Sequence, residues 1–412
     1  MIKRHLTDRL LDALKDTPVV LLQGARQTGK STLAAWVATG PHRARYVTLD
    51  DPTTLAAASA DPSGFLDQEK GNLVIDEVQR VPEIFRALKI RVDRDRRPGR
   101  YLLTGSSHVL AVPRAADSLV GRMQALTLRP FSQGEMAGVR EGFVAALIGG
   151  RALPNRFAAP EASDIQRRIL AGGYPEPVDR KTPERRRAWH ASYITTIMQR
   201  DVREMAAVES LAAFPRLLGA LAARAARPLG SADISRDLGM PYTTLRRYLA
   251  LLEASFLLHL IPAWAPNQGQ RFVKAPKVVL GDTGMMAYLA AASPERLLDD
   301  AALRGRMLEN FVIIEIVKQA EWMPEPPAVH HYRTHTGEEV DAVLEDARGK
   351  ICGVEIKHAA ALKAEDFKGL RGLKAAAGSR FQRGVVLYLG RESLPFGDGL
   401  AAVPVTALWA PE

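Results

Sequence analysis

The sequence predicts an α/β protein of several domains. The short apolar runs VVLLQ, NLVID and RYLLT begin at residues 19, 72 and 100, and helix-forming segments separate them. This alternation is typical of a parallel sheet that is covered by helices. With 412 residues, of which 47% are hydrophobic, the chain can form sizeable cores. A length of this order corresponds to roughly two to four domains.

Charge and cysteine content narrow the classes of protein and of partner. The formal net charge is +10 and the isoelectric point is about 9.7, which favours a polyanionic partner, with DNA as the first candidate. The single cysteine, Cys352, excludes an internal disulfide framework. No window approaches ~18 consecutive apolar residues, so we expect no membrane span and a cytoplasmic location.

The segment GARQTGKS, residues 24–31, has the form of a phosphate-binding P-loop. It lies between the apolar run VVLLQ and the helix-forming TLAAWVA. Backbone N–H groups of such a loop close on phosphate oxygens, and the following helix N-terminus adds positive potential. We expect Lys30 to reach the β- and γ-phosphates of a nucleotide and the Ser31 hydroxyl to ligate its magnesium ion. The predicted nucleotide-binding residues are Gly24, Ala25, Arg26, Gln27, Thr28, Gly29, Lys30, Ser31 and Thr32.

A second motif, NLVIDEVQR, predicts a buried strand with two carboxylates at its carboxyl end. We expect Asp76 to hold magnesium through water and Glu77 to orient or deprotonate the water that attacks the γ-phosphate. The strand RYLLTGSS should bring Thr104 and Ser106 beside the same phosphates. Two further acidic residues are predicted to end a strand and cap the next helix instead of binding metal, namely Asp50 and Asp51.

Arg122 is the candidate for a contribution from a neighbouring subunit. The segment PRAADSLVGRMQALTLRPF predicts a helix that ends at Gly121 and Arg122, followed by a strand. An arginine there would project from the subunit edge and enter a neighbour's nucleotide site as a finger that offsets transition-state charge. This interpretation requires a homo-oligomer.

These motifs together resemble the AAA+ ATPases. The similar segments are GARQTGKS, LVIDEVQ, LLTGSS and SLVGR followed by LRPFS, within an ATPase core predicted at residues 1–136. More narrowly, they resemble prokaryotic ATP-binding proteins with an uncharacterised, DUF4143-type C-terminal region. The resemblance implies ATP and Mg²⁺ as cofactors, Ser106 as the first sensor, and a helical lid, which we place at residues 137–210. Any of three lid arginines could reach the nucleotide, although a solvent-facing position is favoured for at least two of them: Arg185, Arg186 and Arg187.

Residues 211–300 are predicted to form a winged-helix region. A helix from Ser231 to Leu238, a turn at Gly239 and a second helix opening at Tyr242 have helix-turn-helix organisation. The second helix would turn apolar residues inward, namely Leu245, Leu249 and Leu252. Its outward residues suit DNA phosphates and base edges, and they are Thr243, Thr244, Arg246 and Arg247. Protein packing is the alternative role of such a module. Farther on, Asp282 is expected to cap a helix.

Residues 301–412 resemble the PD-(D/E)xK nuclease superfamily in their order of helix, three strands, helix and strand. Asp341 lies on the second strand, and Glu355 and Lys357 share one face of the third. The resemblance implies that Asp341 and Glu355 hold Mg²⁺ or Mn²⁺, while Lys357 acts on the attacking water. Glu309 matches the helix glutamate of the superfamily better than Glu315. A nuclease-like domain that binds without cutting stays open, and no zinc site is expected at the histidines of the first strand, His330, His331 and His335.

The sequence therefore predicts an α/β protein with four parts: a P-loop AAA+ core, a helical lid, a winged-helix region and a C-terminal PD-(D/E)xK-like α/β domain. The function expected first is ATP-dependent action on DNA, with possible cleavage by the last domain. The alternative is a nucleotide-switched regulator with a catalytically silent nuclease-like domain. A peptide-directed AAA+ factor is a third and weaker reading.

Overall fold

The computed structural model describes residues 2–106, 119–151, 157, 161–197 and 213–411. The chain divides into two compact units. The first comprises residues 3–130 and 254–256, and the second comprises residues 131–253 and 257–412. The finer division into four parts stays a prediction. No helix in the described ranges has the length and apolar character that crossing a membrane requires.

The first unit is built on a five-stranded sheet whose strand pairs are all parallel, in the order β2-β3-β4-β1-β5. Its strands are β1 (Val19–Gln23), β2 (Arg45–Thr48), β3 (Leu73–Asp76), β4 (Tyr101–Gly105) and β5 (Met123–Thr127). Its helices are α1 (Leu6–Asp16), α2 (Lys30–Thr39), α3 (Pro52–Ala60), α4 (Pro62–Asp67) and α5 (Ile84–Arg94).

The sequence pattern explains why this sheet forms. Every residue of β1, β3 and β4 is buried, as expected for central parallel strands with helices on both faces. The helix α1 is amphipathic and buries Leu10 and Leu14 on one face. Asp51 caps α3 by accepting from the backbone N–H of Thr54 at 2.7 Å, and Asp50 pairs with Arg80 at 2.7 Å. The predicted capping role is therefore confirmed for Asp51, whereas Asp50 forms an ion pair that was not predicted.

The second unit begins with short helices. They are α6 (Gln133–Ala137), α7 (Phe143–Ile148), α8 (Ala162–Ala171), α9 (Pro175–Val178), α10 (Pro183–Ile197), α11 (Ala213–Ala223), α12 (Ser231–Leu238) and α13 (Tyr242–Ala254). Arg185 and Arg187 are exposed, as predicted for two of the three lid arginines, and Arg186 is half-buried. Arg187 donates to the carbonyl of Ala292 at 2.9 Å.

A small antiparallel pair of strands follows the last three of these helices. The strands are β6 (Leu258–Ile261) and β7 (Lys277–Leu280), with α14 (Gln268–Val273) between them. Gly239 adopts φ 61° between α12 and α13, so the turn predicted there is present. Downstream lie α15 (Thr283–Leu289) and α16 (Pro294–Asp299). Asp282 caps α15 by accepting from Met285 N at 2.9 Å, which confirms its predicted role.

The C-terminal part contains a six-stranded mixed sheet in the order β12-β13-β11-β10-β9-β8. The strands are β8 (Ala328–Arg333), β9 (Glu339–Glu345), β10 (Ile351–Ile356), β11 (Phe381–Tyr388), β12 (Leu394–Pro395) and β13 (Leu400–Pro404). The first three pair antiparallel, whereas β11 pairs parallel with β10 and with β13. The helices are α17 (Ala301–Trp322), which precedes β8, and α18 (Lys368–Ala377), which packs on β9, β10 and β11.

Local hydrogen bonds and turn residues set two boundaries in this part of the chain. The helix α17 begins at Ala301, because Asp300 caps it by accepting from Leu303 N at 2.8 Å. The final strand, β13, ends at Pro404 and is followed by a 3₁₀ helix, Val405–Trp409. The predicted helix before Gly121 falls mainly on residues 107–118, outside the described residues.

Candidate functional site

The loop between β1 and α2 closes around the side chain of Lys30. The Lys30 Nζ atom donates to the carbonyl oxygens of Gly24, at 3.0 Å, and Ala25, at 2.8 Å. Gly29, with φ 91°, leads directly into α2. The helix N-terminus there attracts anions, and Lys30 adds a full positive charge. The loop therefore has the conformation and the charge that a nucleotide phosphate requires.

Arg4, in the segment before α1, stabilises this loop by hydrogen bonds to backbone carbonyl groups. One of its terminal nitrogens donates to the carbonyl of Thr28 at 2.7 Å, and the other donates to the carbonyl of Arg129 at 2.5 Å. The Thr28 hydroxyl in turn donates to the carbonyl of Ala25 at 2.9 Å. The sequence analysis missed Arg4 because it belongs to no motif and lies 20 positions before Gly24.

Ser31 and the buried carboxylate of Asp76 lie together beside the P-loop. The Ser31 hydroxyl donates to Asp76 Oδ1 at 2.9 Å, and Thr104 donates to the same oxygen. The Tyr46 hydroxyl donates to Asp76 Oδ2 at 2.9 Å, and burial together with this carboxylate raises the pKa of Tyr46. A hydroxyl and a carboxylate at this separation are oxygen ligands of the kind that Mg²⁺ prefers. The residues present therefore fit a magnesium ion.

Glu77 stands next to this pair in a left-handed backbone conformation, with φ 57° and ψ 43°. A non-glycine residue there costs about 1–3 kcal/mol, and such strain is found most often at functional sites. The Glu77 backbone N–H donates to Thr104 Oγ1 at 3.2 Å, and its carboxylate accepts from the Gln79 amide. Ser106 Oγ lies 3.0 Å from Gln79 Nε2 and 3.3 Å from Glu77 Oε2. The structure thus brings Glu77 and Ser106 together and adds Gln79, which the sequence analysis did not select.

Arg122 lies in a turn before β5 and forms an ion pair inside its own unit. Its Nε donates to Asp93 Oδ1 at 2.6 Å, and a terminal nitrogen donates to the carbonyl of Val120 at 3.0 Å. The hydrogen bond from Arg122 lowers the pKa of Asp93, although partial burial acts against it. The Arg122 side chain is 25% exposed. Its role as a finger toward a neighbouring subunit stays a prediction.

The residues predicted to contact DNA lie on the outward face of α13. Thr243, Arg246 and Arg247 are exposed, and Thr244 is half-buried. The residues predicted to face inward are buried, namely Leu245, Leu249 and Leu252. The predicted orientation of this helix is therefore confirmed.

In the second unit, the residues of the nuclease-like pattern converge. Asp341 lies in β9, Glu355 in the neighbouring β10, and Lys357 directly after β10. Asp341 Oδ2 accepts from the backbone N–H of Ile356 at 2.9 Å, and Glu355 Oε1 accepts from Lys357 Nζ at 2.8 Å. Glu309 joins them from α17, and its carboxyl group shares a hydrogen bond with Asp341.

The other glutamate of this helix, Glu315, has a different position. Its Oε2 accepts from the backbone N–H of Gln133 at 2.9 Å, and its Oε1 accepts from Lys318 Nζ at 2.7 Å. Glu315 therefore holds α6 against α17. The structure supports the choice of Glu309 as the helix glutamate beside Asp341.

A residue that the sequence analysis missed, Lys277, lies inside this cluster. It is the first residue of β7, and its Nζ lies 2.6 Å from Glu309 Oε1 and 3.0 Å from Asp341 Oδ1. Its side chain is only 4% exposed. In the segment KAPKVVL, Lys277 looks like the polar residue that begins a short strand. The only sequence feature that marks it is a charged residue directly before an apolar run. Four residues define the acidic cluster together with Lys277: Glu309, Asp341, Glu355 and Lys357.

Burial and mutual charge shift the acid–base behaviour of the cluster. Burial, and then the charge of Asp341, raises the pKa of Glu309 well above its usual range and that of Glu355 to about 8. Burial alone would lower the pKa of Lys277, but Asp341 and Glu309 raise it. Burial alone would raise the pKa of Asp341, but Lys277 and hydrogen bonds lower it. Lys277 and Asp341 are therefore a charged pair at neutral pH.

A divalent metal does not fit this arrangement. Oxygens of Glu309 and Asp341 that would bind a metal are bonded to the Lys277 ammonium group instead. Within the part of the chain that the structure describes, no group of three or more His, Cys, Asp or Glu side chains is placed to hold a metal ion. The geometry therefore disagrees with the metal that the nuclease resemblance implies.

Two curated relatives are similar to the chain over nearly its whole length. They are the uncharacterized protein Rv2008c of Mycobacterium tuberculosis and the uncharacterized protein Mb2031c of Mycobacterium bovis. Each is 29% identical over 403 residues, which cover 98% of this chain and 83% of the relative. Because both are uncharacterized, they assign no activity.

A Holliday junction branch migration motor, RuvB of Thermotoga maritima, is among the similar solved structures, together with a variant of the same protein. The sequence identity is 18%, and the match covers 63% of this chain and 90% of the other. The TM-score is 0.29, so this similarity carries no weight for fold or function.

Three protein families match separate segments of the chain. An AAA domain matches residues 16–137, and a domain of unknown function, DUF8612, matches residues 162–296. A second domain of unknown function, DUF4143, matches residues 304–408. The AAA match coincides with the sheet that carries the P-loop, and the DUF4143 match coincides with the mixed sheet. The chain thus contains an AAA domain and a C-terminal DUF4143 domain.

Proposed function

We propose that this protein is a nucleotide-switched ATPase that binds DNA and uses Mg²⁺-ATP. The observation that carries the proposal is the arrangement of Lys30, Ser31, Asp76 and Glu77 beside one P-loop, at the carboxyl edge of a parallel sheet. Ligands of open α/β sheets bind at this edge. The AAA match over residues 16–137 supports ATP binding and hydrolysis.

Each side chain has a role in phosphoryl transfer that its chemistry suits. Lys30 offsets the charge of the β- and γ-phosphates, and the loop N–H groups bind their oxygens. Ser31 and Asp76 would hold the magnesium ion, which supplies positive charge to the transferred phosphoryl group. Glu77 orients the attacking water and accepts its proton.

The contacts of Glu77 suggest how nucleotide binding controls its position. Its carboxylate contacts Gln79 and Ser106, whose hydroxyl lies at the carboxyl end of β4. A γ-phosphate that attracts the Ser106 hydroxyl would compete with this contact and free Glu77 to bind water. Gln79 and Ser106 therefore connect the presence of a γ-phosphate to the position of the catalytic carboxylate.

DNA binding is proposed from the second unit. The order of three helices, α11, α12 and α13, followed by the β6–β7 pair supports the proposal of a winged helix. The exposed Arg246 and Arg247 on α13 suit phosphate contacts, and the chain has a net charge of +10.

Metal-dependent DNA cleavage is the second candidate activity. The convergence of Asp341, Glu355 and Lys357 on adjacent strands favours it. The contact of Lys277 with Glu309 and Asp341 counts against it. We therefore assign the C-terminal domain to binding and not to cutting, so ATP would set how tightly the protein holds DNA.

The ATPase assignment is tested with Lys30→Ala and Glu77→Gln. Lys30→Ala should abolish binding of a fluorescent ATP analogue, whereas Glu77→Gln should bind it normally and hydrolyse ATP at least 100-fold more slowly. Lys70→Ala, a change at an exposed lysine of the same unit, is the control and should match the parent. Parental turnover by Glu77→Gln would show that Glu77 is not the catalytic carboxylate.

The DNA assignment is tested by fluorescence anisotropy with linear, forked and four-way DNA. Affinity should differ between the nucleotide-free and the ATP-bound Glu77→Gln protein, because that variant holds ATP without turnover. Equal affinity in both states would contradict the nucleotide switch. In parallel, the parent is incubated with the same DNA in Mg²⁺ or Mn²⁺, and cleavage that Asp341→Asn abolishes would establish the second candidate activity.

A further inference from the structure

We infer that Lys277 is the resident cation of the acidic cluster and that its ammonium group excludes a divalent metal from the C-terminal domain. This inference goes beyond the proposed function and depends neither on ATP nor on DNA. It concerns the side chain of Lys277, which lies outside the residues that match DUF4143, 304–408. Lys277 belongs to the preceding segment, residues 162–296, which matches DUF8612.

The ammonium group takes the position that a shared metal would need. Lys277 Nζ lies 2.6 Å from Glu309 Oε1 and 3.0 Å from Asp341 Oδ1, so it bridges the helix carboxylate and the strand carboxylate. A divalent ion binds carboxylate oxygens at about 2.0–2.6 Å, and it would have to use these same oxygens. An ion placed there would be in contact with a positive charge in a buried site. One of the two cations must leave.

The backbone on both sides of Lys277 is fixed, so the starting point of its side chain relative to the cluster is fixed as well. Lys277 pairs with Ile261 of β6 and forms an isolated bridge with Pro228 on its other side. Two residues earlier, the carbonyl of Ala275 accepts from the His331 ring of β8 at 3.1 Å. With the backbone held by these pairings, the ammonium group can move only by rotation of its own side chain, which is 4% exposed.

The helix that carries Glu309 is held in register with the same strand. The next residue, Asn310, is fully buried, and its side chain bonds both backbone groups of Leu280 in β7. The Leu280 N–H donates to Asn310 Oδ1 at 2.8 Å, and Asn310 Nδ2 donates to the Leu280 carbonyl at 3.1 Å. This amide pair fixes α17 against β7 and thereby sets Glu309 against Lys277.

The charges of the cluster are nearly balanced without a metal. Glu309, Asp341 and Glu355 supply three carboxyl groups, and Lys277 and Lys357 supply two ammonium groups. A buried carboxylate requires a partner of this kind. With all five groups ionised, the negative charges exceed the positive ones by one, and the raised pKa values of Glu309 and Glu355 make the total more positive, so the cluster has no negative charge left that would require a divalent ion. The cluster therefore uses its own lysines where a metal-dependent site would use an ion.

The test counts bound Mn²⁺ in the nucleotide-free, full-length protein from the electron paramagnetic resonance signal of free Mn²⁺. The proteins compared are the parent, Asp341→Asn, Lys277→Met and the double variant that carries both changes. Lys274→Met is the control for loss of a nearby lysine whose ammonium group donates to the carbonyl of Arg333 and not to the cluster. The parent and Asp341→Asn should bind equal amounts of Mn²⁺. Lys277→Met should bind one ion more than the double variant, and Lys274→Met should match the parent.

Thermal unfolding supplies a second readout. Lys277→Met leaves buried carboxylates without their counter-ion, so its Tm should fall and should recover when Mn²⁺ is added. The Tm of the double variant should not show this recovery.

Three results would overturn the inference. The first is a parent that binds one Mn²⁺ more than Asp341→Asn, because a metal would then displace Lys277. The second is a folded Lys277→Met protein that gains no ion relative to the double variant. The third is a gain of Mn²⁺ by Lys274→Met. If Lys277→Met does not fold, the parent is compared with Asp341→Asn and with Glu355→Gln, and this comparison decides.

Discussion

The backbone of Gly24 shows how tightly the P-loop is packed. Its φ is 150°, and an added Cβ would lie 2.2 Å from the carbonyl oxygen of Leu128. That carbonyl has little freedom, since the Leu128 N–H donates to Gln23 O at 2.7 Å. The first glycine of the loop is therefore required by steric contact as well as by its backbone conformation.

The two glycines of the loop, Gly24 and Gly29, should differ in how well they tolerate an alanine side chain. Gly24→Ala should abolish ATP binding, because its Cβ would collide with backbone atoms. At Gly29, φ is 91° and the nearest atom to an added Cβ lies 3.8 Å away, so Gly29→Ala meets only backbone strain of about 1–2 kcal/mol. It should fold and retain weakened binding. Titration with a fluorescent ATP analogue measures both affinities, and equal losses would contradict the steric explanation.

His331 makes the stability of the protein depend on pH. Burial, and then the charge of Lys277, lowers the pKa of His331 from 6.5 to about 4. Between these two values the unfolded chain binds a proton that the folded chain does not bind. The contribution is thus fully present above pH 6.5 and is lost as the pH falls toward 4. The pKa difference corresponds to about 3 kcal/mol.

We expect His331→Gln to remove much of this acid sensitivity, because glutamine does not titrate and its amide can still donate to Ala275. The free energy of unfolding, measured with urea at several pH values between 4 and 7, should vary less with pH in this variant. His335→Gln, at an exposed position of the same segment, serves as the control and should behave like the parent. An unaltered pH dependence in His331→Gln would assign the acid sensitivity to other groups.

At the scale of elements, β7 connects two sets of candidate functional residues that lie far apart in the sequence, the proposed DNA-binding helix region and the acidic cluster. It pairs with β6 in the region proposed to form a winged helix, and it presents Lys277 to Glu309 of α17 and Asp341 of β9. The acidic cluster is thereby attached to the element beside the proposed DNA-binding helix.

The prediction for α13 concerns its outward arginines. Changing both Arg246 and Arg247 to alanine should weaken DNA binding and flatten the slope of log affinity against log salt by about 0.9 per lost phosphate contact. Arg236→Ala is the matched control, since Arg236 is exposed on α12 but is paired with Asp233 at 2.9 Å. An unchanged slope in the double variant would assign these arginines to another role.

The elements that could be predicted from sequence are those with local causes. The strands β1, β3 and β4 follow from short apolar runs between turn residues, and the P-loop follows from its glycines and Lys30. The amphipathic pattern of α13 likewise determined its buried side. Lys277 could not be found in this way, because its partners lie 32 and 64 positions farther along the chain. Only the folded arrangement shows that a strand from one segment completes a cluster in another.

At the scale of the whole molecule, the nucleotide site draws its predicted residues from one unit of the chain. Lys30, Ser31, Asp76, Glu77 and Ser106 all belong to the first unit. Arg122 belongs to it as well, yet it is paired with Asp93. Both side chains are partly exposed, at 25% and 42%, so water and a competing anion can reach them. An exposed ion pair of this kind is compatible with an arginine that exchanges Asp93 for a nucleotide phosphate in the site of a neighbouring subunit.

A mixing experiment tests this interpretation. Arg122→Ala protein and Glu77→Gln protein should each hydrolyse ATP poorly, because one lacks the finger and the other lacks the carboxylate. In an equal mixture of a cyclic homo-oligomer, about a quarter of the interfaces would combine an intact Glu77 with an intact Arg122 from the neighbour. Mixing should therefore restore measurable turnover.

Asp93→Ala separates the finger from the ion pair. It breaks the same contact as Arg122→Ala but leaves the guanidinium group in place, so it should retain ATP hydrolysis if Arg122 acts in a neighbour's site. If Arg122 serves only to hold α5 against the turn before β5, the two variants should lose the same activity and the same thermal stability, and mixing should restore nothing. Analytical ultracentrifugation of the parent with ATP completes the test. If the parent is a monomer and still hydrolyses ATP normally, there is no neighbouring nucleotide site that Arg122 could complete, and the finger role is wrong.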